Sequence, residues 1–230
     1  MGLSDLEVAA TLLSLKVAFW SSLATLPIAI GLAWILARRD FTGKLLLDSL
    51  VHLPLVLPPV VVGYGLLLLF GARGPLGSAL QHYLGITLIF TWKGAVIASA
   101  VMALPLFVRA IRISFETADR KLESAARCLG AAPLGVFLSI TLPLGLPGIV
   151  AGTILGFARS LSEFGATITF VSNVPGETQT LPLAIHALIQ VPDGEAAALR
   201  LTGISLAIGL VALILADRVD LWLRRRLHRP

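Results

Sequence analysis

The chain has 230 residues, 57% of them hydrophobic and only 13% charged, about half the charged share of an ordinary soluble domain. With a mean hydropathy of +0.91, this composition excludes a water-soluble globule and makes lipid the solvent of most of the chain. The net charge of +5 invites a nucleic-acid partner, but no recognition motif accompanies the cations, and the Lys and Arg excess of cytoplasmic membrane loops accounts for the same charge; we expect no nucleic acid.

Apolar runs over residues 8–37, 50–70, 95–113, 144–171 and 199–223 have roughly the 20 residues that cross a bilayer core as a helix. They predict an all-α, polytopic membrane protein of about five transmembrane helices, a single unit over 1–230 with its core at 8–223. The first run is preceded by Asp5 and Glu7 rather than by Lys or Arg. It is also far longer than the apolar part of a signal peptide, so it is expected to stay as a span. At 1.5 Å per residue it is about 45 Å long; Pro27 and Gly31 inside it predict a tilt or kink, and Lys16 should lie near one interface.

Proline and glycine interrupt the second and fourth runs, in Leu53-Pro54-Leu55-Val56-Leu57-Pro58-Pro59 and in Leu142-Pro143-Leu144-Gly145-Leu146-Pro147-Gly148. In hydrocarbon such breaks persist only where neighbouring protein or water satisfies the freed backbone groups, so these helices should line a bundle interior or a cavity.

The cations orient the chain. Arg38, Arg39 and Lys44 follow the first run; Arg109, Arg112, Arg120, Lys121 and Arg127 follow the third; Arg218, Arg224, Arg225, Arg226 and Arg229 close the sequence. All three sets fall on one side, against Lys16, Arg73, Lys93 and Arg200 near the other. The positive-inside rule then places the amino terminus outside and the carboxyl terminus in the cytoplasm.

The inner loop, 115–142, is the polar island of the chain. Asp119 can cap a helix in which Leu122, Ala125, Ala126 and Leu129 share a face at i, i+3, i+4, i+7. Gly130 can take the left-handed conformation that ends it. Pro133 suits the first position of a second short helix carrying Val136, Phe137 and Ile140 back to the bilayer. Such a loop is either an interfacial helix-turn-helix or a surface offered to a soluble partner. The only cysteine, Cys128, excludes an internal disulfide, and we expect it to be a small packing residue.

In the fourth run, Arg159 and Glu163 are four residues apart in a helical register and therefore neighbours. Charges inside a span are costly and face the bundle interior or a wet path, so the pair marks either the solute pathway or an ion pair that fixes helix packing. Ser160, Ser162, Thr167 and Thr169 beside it offer hydroxyls to a passing oxyanion, or knit helices together. No phosphate-cradling G-x-x-x-x-G-K followed by Ser or Thr occurs, no hydrolase motif, and no metal-ligand spacing among His52, His82, His186 and His228. We expect no catalytic residue, no metal and no cofactor in this chain.

The segment Ser124-Ala125-Ala126-Arg127-Cys128-Leu129-Gly130, followed by Ile140-Thr141-Leu142-Pro143, resembles the EAA loop of ATP-binding-cassette importer permeases of the type I fold. That resemblance implies a cytoplasmic coupling helix seated in a groove of a separate ATPase. Glu123, Ser124, Ala125, Ala126 and Gly130 would then be the ATPase-coupling residues. Where the family most often begins this motif with Glu, the chain has Ser124, with Glu123 one place earlier and so rotated by about 100°. Residues 51–64, 159–173 and 175–178 extend the likeness, and together the segments are similar to the molybdate permease subunits of that family. The resemblance implies a homodimeric oxyanion pathway, two cytoplasmic ATPase subunits that bind ATP and Mg, and a periplasmic molybdate-binding protein. Two other readings are a permease for tungstate, sulfate or thiosulfate and, from a different class, a secondary transporter working without an ATPase. The latter calls for ionisable residues in several spans, and only the Arg159 region has them.

Overall fold

The computed structural model describes residues 4–227. His228 and Arg229, and the side chains of Arg224, Arg225 and Arg226, lie outside the described residues. Every element among those described is helical.

Helix α1 (Asp5–Arg38) opens on a capping box: Ser4 Oγ accepts from the Glu7 backbone N–H at 3.3 Å, and Glu7 Oε2 accepts from the Ser4 N–H at 2.6 Å. It then runs unbroken through Pro27. Its buried face is a column of small residues, Ser14, Ala18, Ser21, Thr25, Ala29 and Ala33, which lets neighbouring backbones come close where lipid gives helices no hydrophobic reason to associate.

Where the sequence predicts one span over 50–70, there are two helices. α2 (Lys44–Val56) and α3 (Pro59–Phe70) meet at a 115° elbow. Pro58 and Pro59 remove successive N–H donors, and Pro59 takes the first position of α3, where a donor is not needed. The connection to the third span holds a short helix, α4 (Pro75–Leu84).

α5 (Trp92–Thr117) runs parallel to α1: the Lys16 ammonium lies 3.8 Å from the Trp92 ring centroid at one end, and Arg38 Nη2 donates to the Ala118 carbonyl at 3.4 Å at the other. The inner loop follows as α6 (Arg120–Cys128) and α7 (Pro133–Val136). The chain then returns through a widened π-type turn, Phe137–Thr141, and the short α8 (Leu142–Leu144).

The run over 144–171 is also broken. α9 (Leu146–Leu161) is bent by 66° from the segment before it, and it stops short of α10 (Gly165–Val171). α9 lies antiparallel to α5 on a ladder of Gly148, Gly152 and Gly156. A Cβ on Gly148 would sit 2.6 Å from the Ala110 carbonyl oxygen, and one on Gly152 would sit 3.2 Å from that of Phe107. α11 (Leu181–Leu188) and α12 (Glu195–Leu227) complete the chain, with Arg200 Nη2 2.9 Å from Glu7 Oε1.

α1, α5 and α12 are each long and apolar enough to cross a membrane, and counting each bent pair as one span brings the number to five. Contacts along the bundle make successive crossings antiparallel. The amino-terminal end of α1 therefore lies on the face opposite α6.

Candidate coupling platform and translocation site

The residues singled out from sequence fall into two groups, separated by the length of α9, about 24 Å.

The first group is built on α6. Asp119 Oδ1 accepts from the Lys121 N–H at 2.9 Å and starts the helix; Gly130, at φ +86°, ends it, and the Ala131 N–H returns to the Ala126 carbonyl at 3.0 Å. The expected shared face exists and points outward. Leu122 is 50% and Leu129 88% exposed, Ala125 is exposed and Ala126 half-buried. Cys128 is exposed too, not the packing residue expected from its size. Ser124 is exposed, with its hydroxyl turned back on the Arg120 carbonyl at 3.1 Å.

Glu123 points the other way. It is 7% exposed, and its Oε1 lies 2.9 Å from Arg38 Nη2 while accepting from Thr141 Oγ1 at 2.9 Å. The rotation of one helical position thus turns this carboxylate into the chain. Arg120 adds a second tie, donating through Nη2 to the Ala37 carbonyl at 2.8 Å, one of the carbonyls a helix end leaves without an internal donor. Arg38 and Thr141 are the partners that sequence reasoning missed. Arg38 counted only as a cytoplasmic cation, and Thr141 only as part of Ile140-Thr141-Leu142-Pro143.

The second group occupies the gap between α9 and α10. Arg159 Nη2 and Glu163 Oε2 are 2.8 Å apart, but not on one continuous helix as the spacing implied: α9 ends at Leu161, and Glu163 sits beyond it. The other carboxylate oxygen, Oε1, accepts from the Ala166 N–H at 2.9 Å, so Glu163 also starts α10. Its side chain is sealed at 1% exposure, whereas Arg159 is 24% exposed.

The four hydroxyls divide. Ser160 is buried and receives a hydrogen bond from Ser21 at 2.9 Å, joining α9 to α1. Thr169 donates to Gly165 within its own helix, and Thr167 is buried. Ser162 alone is exposed, its hydroxyl donating to the Arg159 carbonyl at 3.0 Å.

The α2–α3 elbow closes over this gap. A Cβ on Gly165 would lie 2.8 Å from Pro59 Cβ, and one on Gly63 2.6 Å from the Ala166 carbonyl oxygen. From the other side Phe164 stacks edge-on against His186, with centroids 4.9 Å apart. Two interrupted spans thus meet at the start of α10, which Glu163 ties to the partly open Arg159.

Comparison with known proteins agrees with this architecture. Residues 28–225 match the family model described as binding-protein-dependent transport system inner membrane component. The molybdenum transport system permease protein ModB of Escherichia coli strain K12 is 57% identical over 225 residues, covering 98% of this chain and 96% of that protein. The protein of the same name from Haemophilus influenzae strain Rd is 53% identical over 224 residues, 97% of this chain and 96% of its own length. The inward-facing MetNI methionine ABC transporter superposes with a TM-score of 0.75 at 15% identity, over 96% of this chain and 99% of the matched one, and shows the fold alone. The chain belongs to the family of binding-protein-dependent transport system inner membrane components.

Proposed function

We propose that this chain is the membrane-spanning permease subunit of an ATP-driven molybdate importer. Two copies form the oxyanion pathway, two cytoplasmic ATPase subunits bind ATP and Mg below, and a periplasmic molybdate-binding protein delivers the ion above. The amino terminus is outside and the carboxyl terminus cytoplasmic. Near full-length identity to two molybdenum transport permeases supports the cargo.

The observation that carries the mechanism is the two-faced α6. Its apolar face is exposed for a partner, while Glu123 on its back is pinned to α1 through Arg38. A helix held in this way transmits displacement to the bundle instead of folding away from it.

An energy source is required because molybdate is a dianion. Entering a negative interior costs about 2.3 kcal/mol per charge per 100 mV, about 4.6 for the ion. In this mechanism closure of the ATPase pair draws on the two α6 helices and rocks the halves from inward-open to outward-open. The anion then passes Arg159 and Ser162, where one half-paired guanidinium gives weak attraction without a trap.

The deciding experiment is to purify the chain with its ATPase and measure ATP turnover with a binding protein and molybdate, tungstate or sulfate in turn. Stimulation by molybdate is expected. Turnover stimulated by sulfate and not by molybdate would replace the cargo, and a chain that transports with no ATPase bound would replace the class.

A further inference from the structure

Beside the Arg38–Glu123 pair lie two recesses of about 180 and 110 Å³ that share Trp34, Arg39 and Arg127 as a common wall. Arg120 lines the larger one, and Phe137 and Pro133 floor the smaller. The guanidinium of Arg39 lies over the Trp34 ring, 5.2 Å from its centroid, which leaves its N–H donors free.

Among the described residues, four carboxylates at this end are already engaged in ion pairs. Asp40 holds Lys44 at 2.8 Å, Asp48 and Glu116 hold Arg112 at 3.0 and 2.7 Å, and Glu123 holds Arg38. Among the described residues, Arg39, Arg120 and Arg127 form no ion pair, although Arg120 donates to the Ala37 carbonyl and its charge is felt by Asp40. Three guanidiniums without a salt-bridge partner therefore line a cleft with an aromatic floor.

The geometry points to this cleft as a binding site for the phosphate headgroup of an anionic phospholipid. α1 is a span and the cleft forms at its end, the depth at which lipid headgroups lie, where tryptophan and arginine are the usual anchors. Leu134 and Leu138, one turn apart and next in sequence to Pro133 and Phe137, are 69% and 53% exposed; they offer apolar surface on the same short segment, as acyl chains require and a soluble anion does not. Basic pockets among span ends are the physical basis of such lipid selection. A phosphate held between Arg39, just past the end of α1, and Arg127 on α6 would be a second fastening of α6, beside the buried ion pair, and would make coupling sensitive to the charge of the surrounding lipid. The site requires only that α1 cross the bilayer and stands whatever the cargo, so its failure would leave the molybdate reading untouched.

The test uses the whole transporter, chain and ATPase together, in phosphatidylcholine nanodiscs into which phosphatidylglycerol is titrated, with bound lipid read by native mass spectrometry. Wild type should retain phosphatidylglycerol, with affinity falling about fivefold for each arginine removed in Arg39→Gln and Arg127→Gln. Arg73→Gln, at the opposite face, should leave it unchanged. If the double variant does not assemble, Arg39→Gln alone carries the same comparison. Equal retention by wild type and variants would overturn the site. So would displacement of the lipid by millimolar inorganic phosphate, which would make the ligand a free anion, or loss of the ATPase from the variants in lipid lacking phosphatidylglycerol, which would make it an acidic surface of the partner.

Discussion

Arg38, the last residue of α1, and Glu123, on the inward face of α6, meet at 2.9 Å with side chains only 6% and 9% exposed. Arg38 keeps Nε and Nη1 enclosed without a hydrogen-bond partner, so Glu123 is what balances its charge. Removing one member of a buried pair leaves the other uncompensated, at a cost of about 3–5 kcal/mol. Glu123→Ala should therefore lower the thermal midpoint in detergent sharply and uncouple uptake. Glu123→Gln should be milder, because it can still accept from Thr141. Replacing Arg38 and Glu123 together by apolar residues should recover most of the loss in a double-mutant cycle, and single-variant losses that simply add in the double variant would refute the pairing.

Gly130 tests the stop of α6. A Cβ there meets nothing within 4 Å, yet φ is +86°, so only backbone strain of about 1–2 kcal/mol opposes a side chain. Gly130→Val should reduce both ATPase co-purification and uptake, whereas Gly130→Asn, which tolerates this conformation, should keep both. Normal assembly and uptake with valine would remove the case for the loop as a lever.

Arg159 and Glu163 are separable because only Glu163 also holds a helix start. Glu163→Gln should preserve assembly, since an amide oxygen still accepts from the Ala166 N–H. Arg159→Gln should assemble normally and lose oxyanion uptake. Reversing both charges should fail to assemble, because arginine at 163 offers the Ala166 N–H no acceptor. Full uptake by Arg159→Gln would show the pair to be a packing device.

Gly63→Ala should destabilise the α3–α10 contact by about 1–3 kcal/mol, since the new methyl meets the Ala166 backbone at 2.6 Å and not a side chain that can turn away. A lowered thermal midpoint is the readout; an unchanged one would mean that the two breaks are not packed against each other.

Cys128 gives a topology test without further engineering, being the single cysteine of the chain and exposed on α6. A membrane-impermeant maleimide should label it in inside-out vesicles and not in right-side-out ones, and bound ATPase should protect it. Labelling from the periplasmic side would reverse the orientation.

Composition, run length and capping residues by themselves determined that the chain is helical and membrane-embedded, and where α6 begins and ends. These features follow from lipid as solvent and from local cap chemistry at Asp119, Gly130 and Pro133, which need no distant partner.

What only the tertiary structure decided is direction and pairing. Periodicity put Leu122, Ala125 and Leu129 on one face but could not say whether that face was covered. It placed Arg159 and Glu163 on one helix, whereas the chain breaks between them and turns Glu163 to the start of α10. Glu123 and Arg38 are far apart in sequence and carry no mutual signal, because an ion pair depends on where two helix ends arrive in space. That arrival is set by the close packing of α1, α5 and α9, a property of all three together.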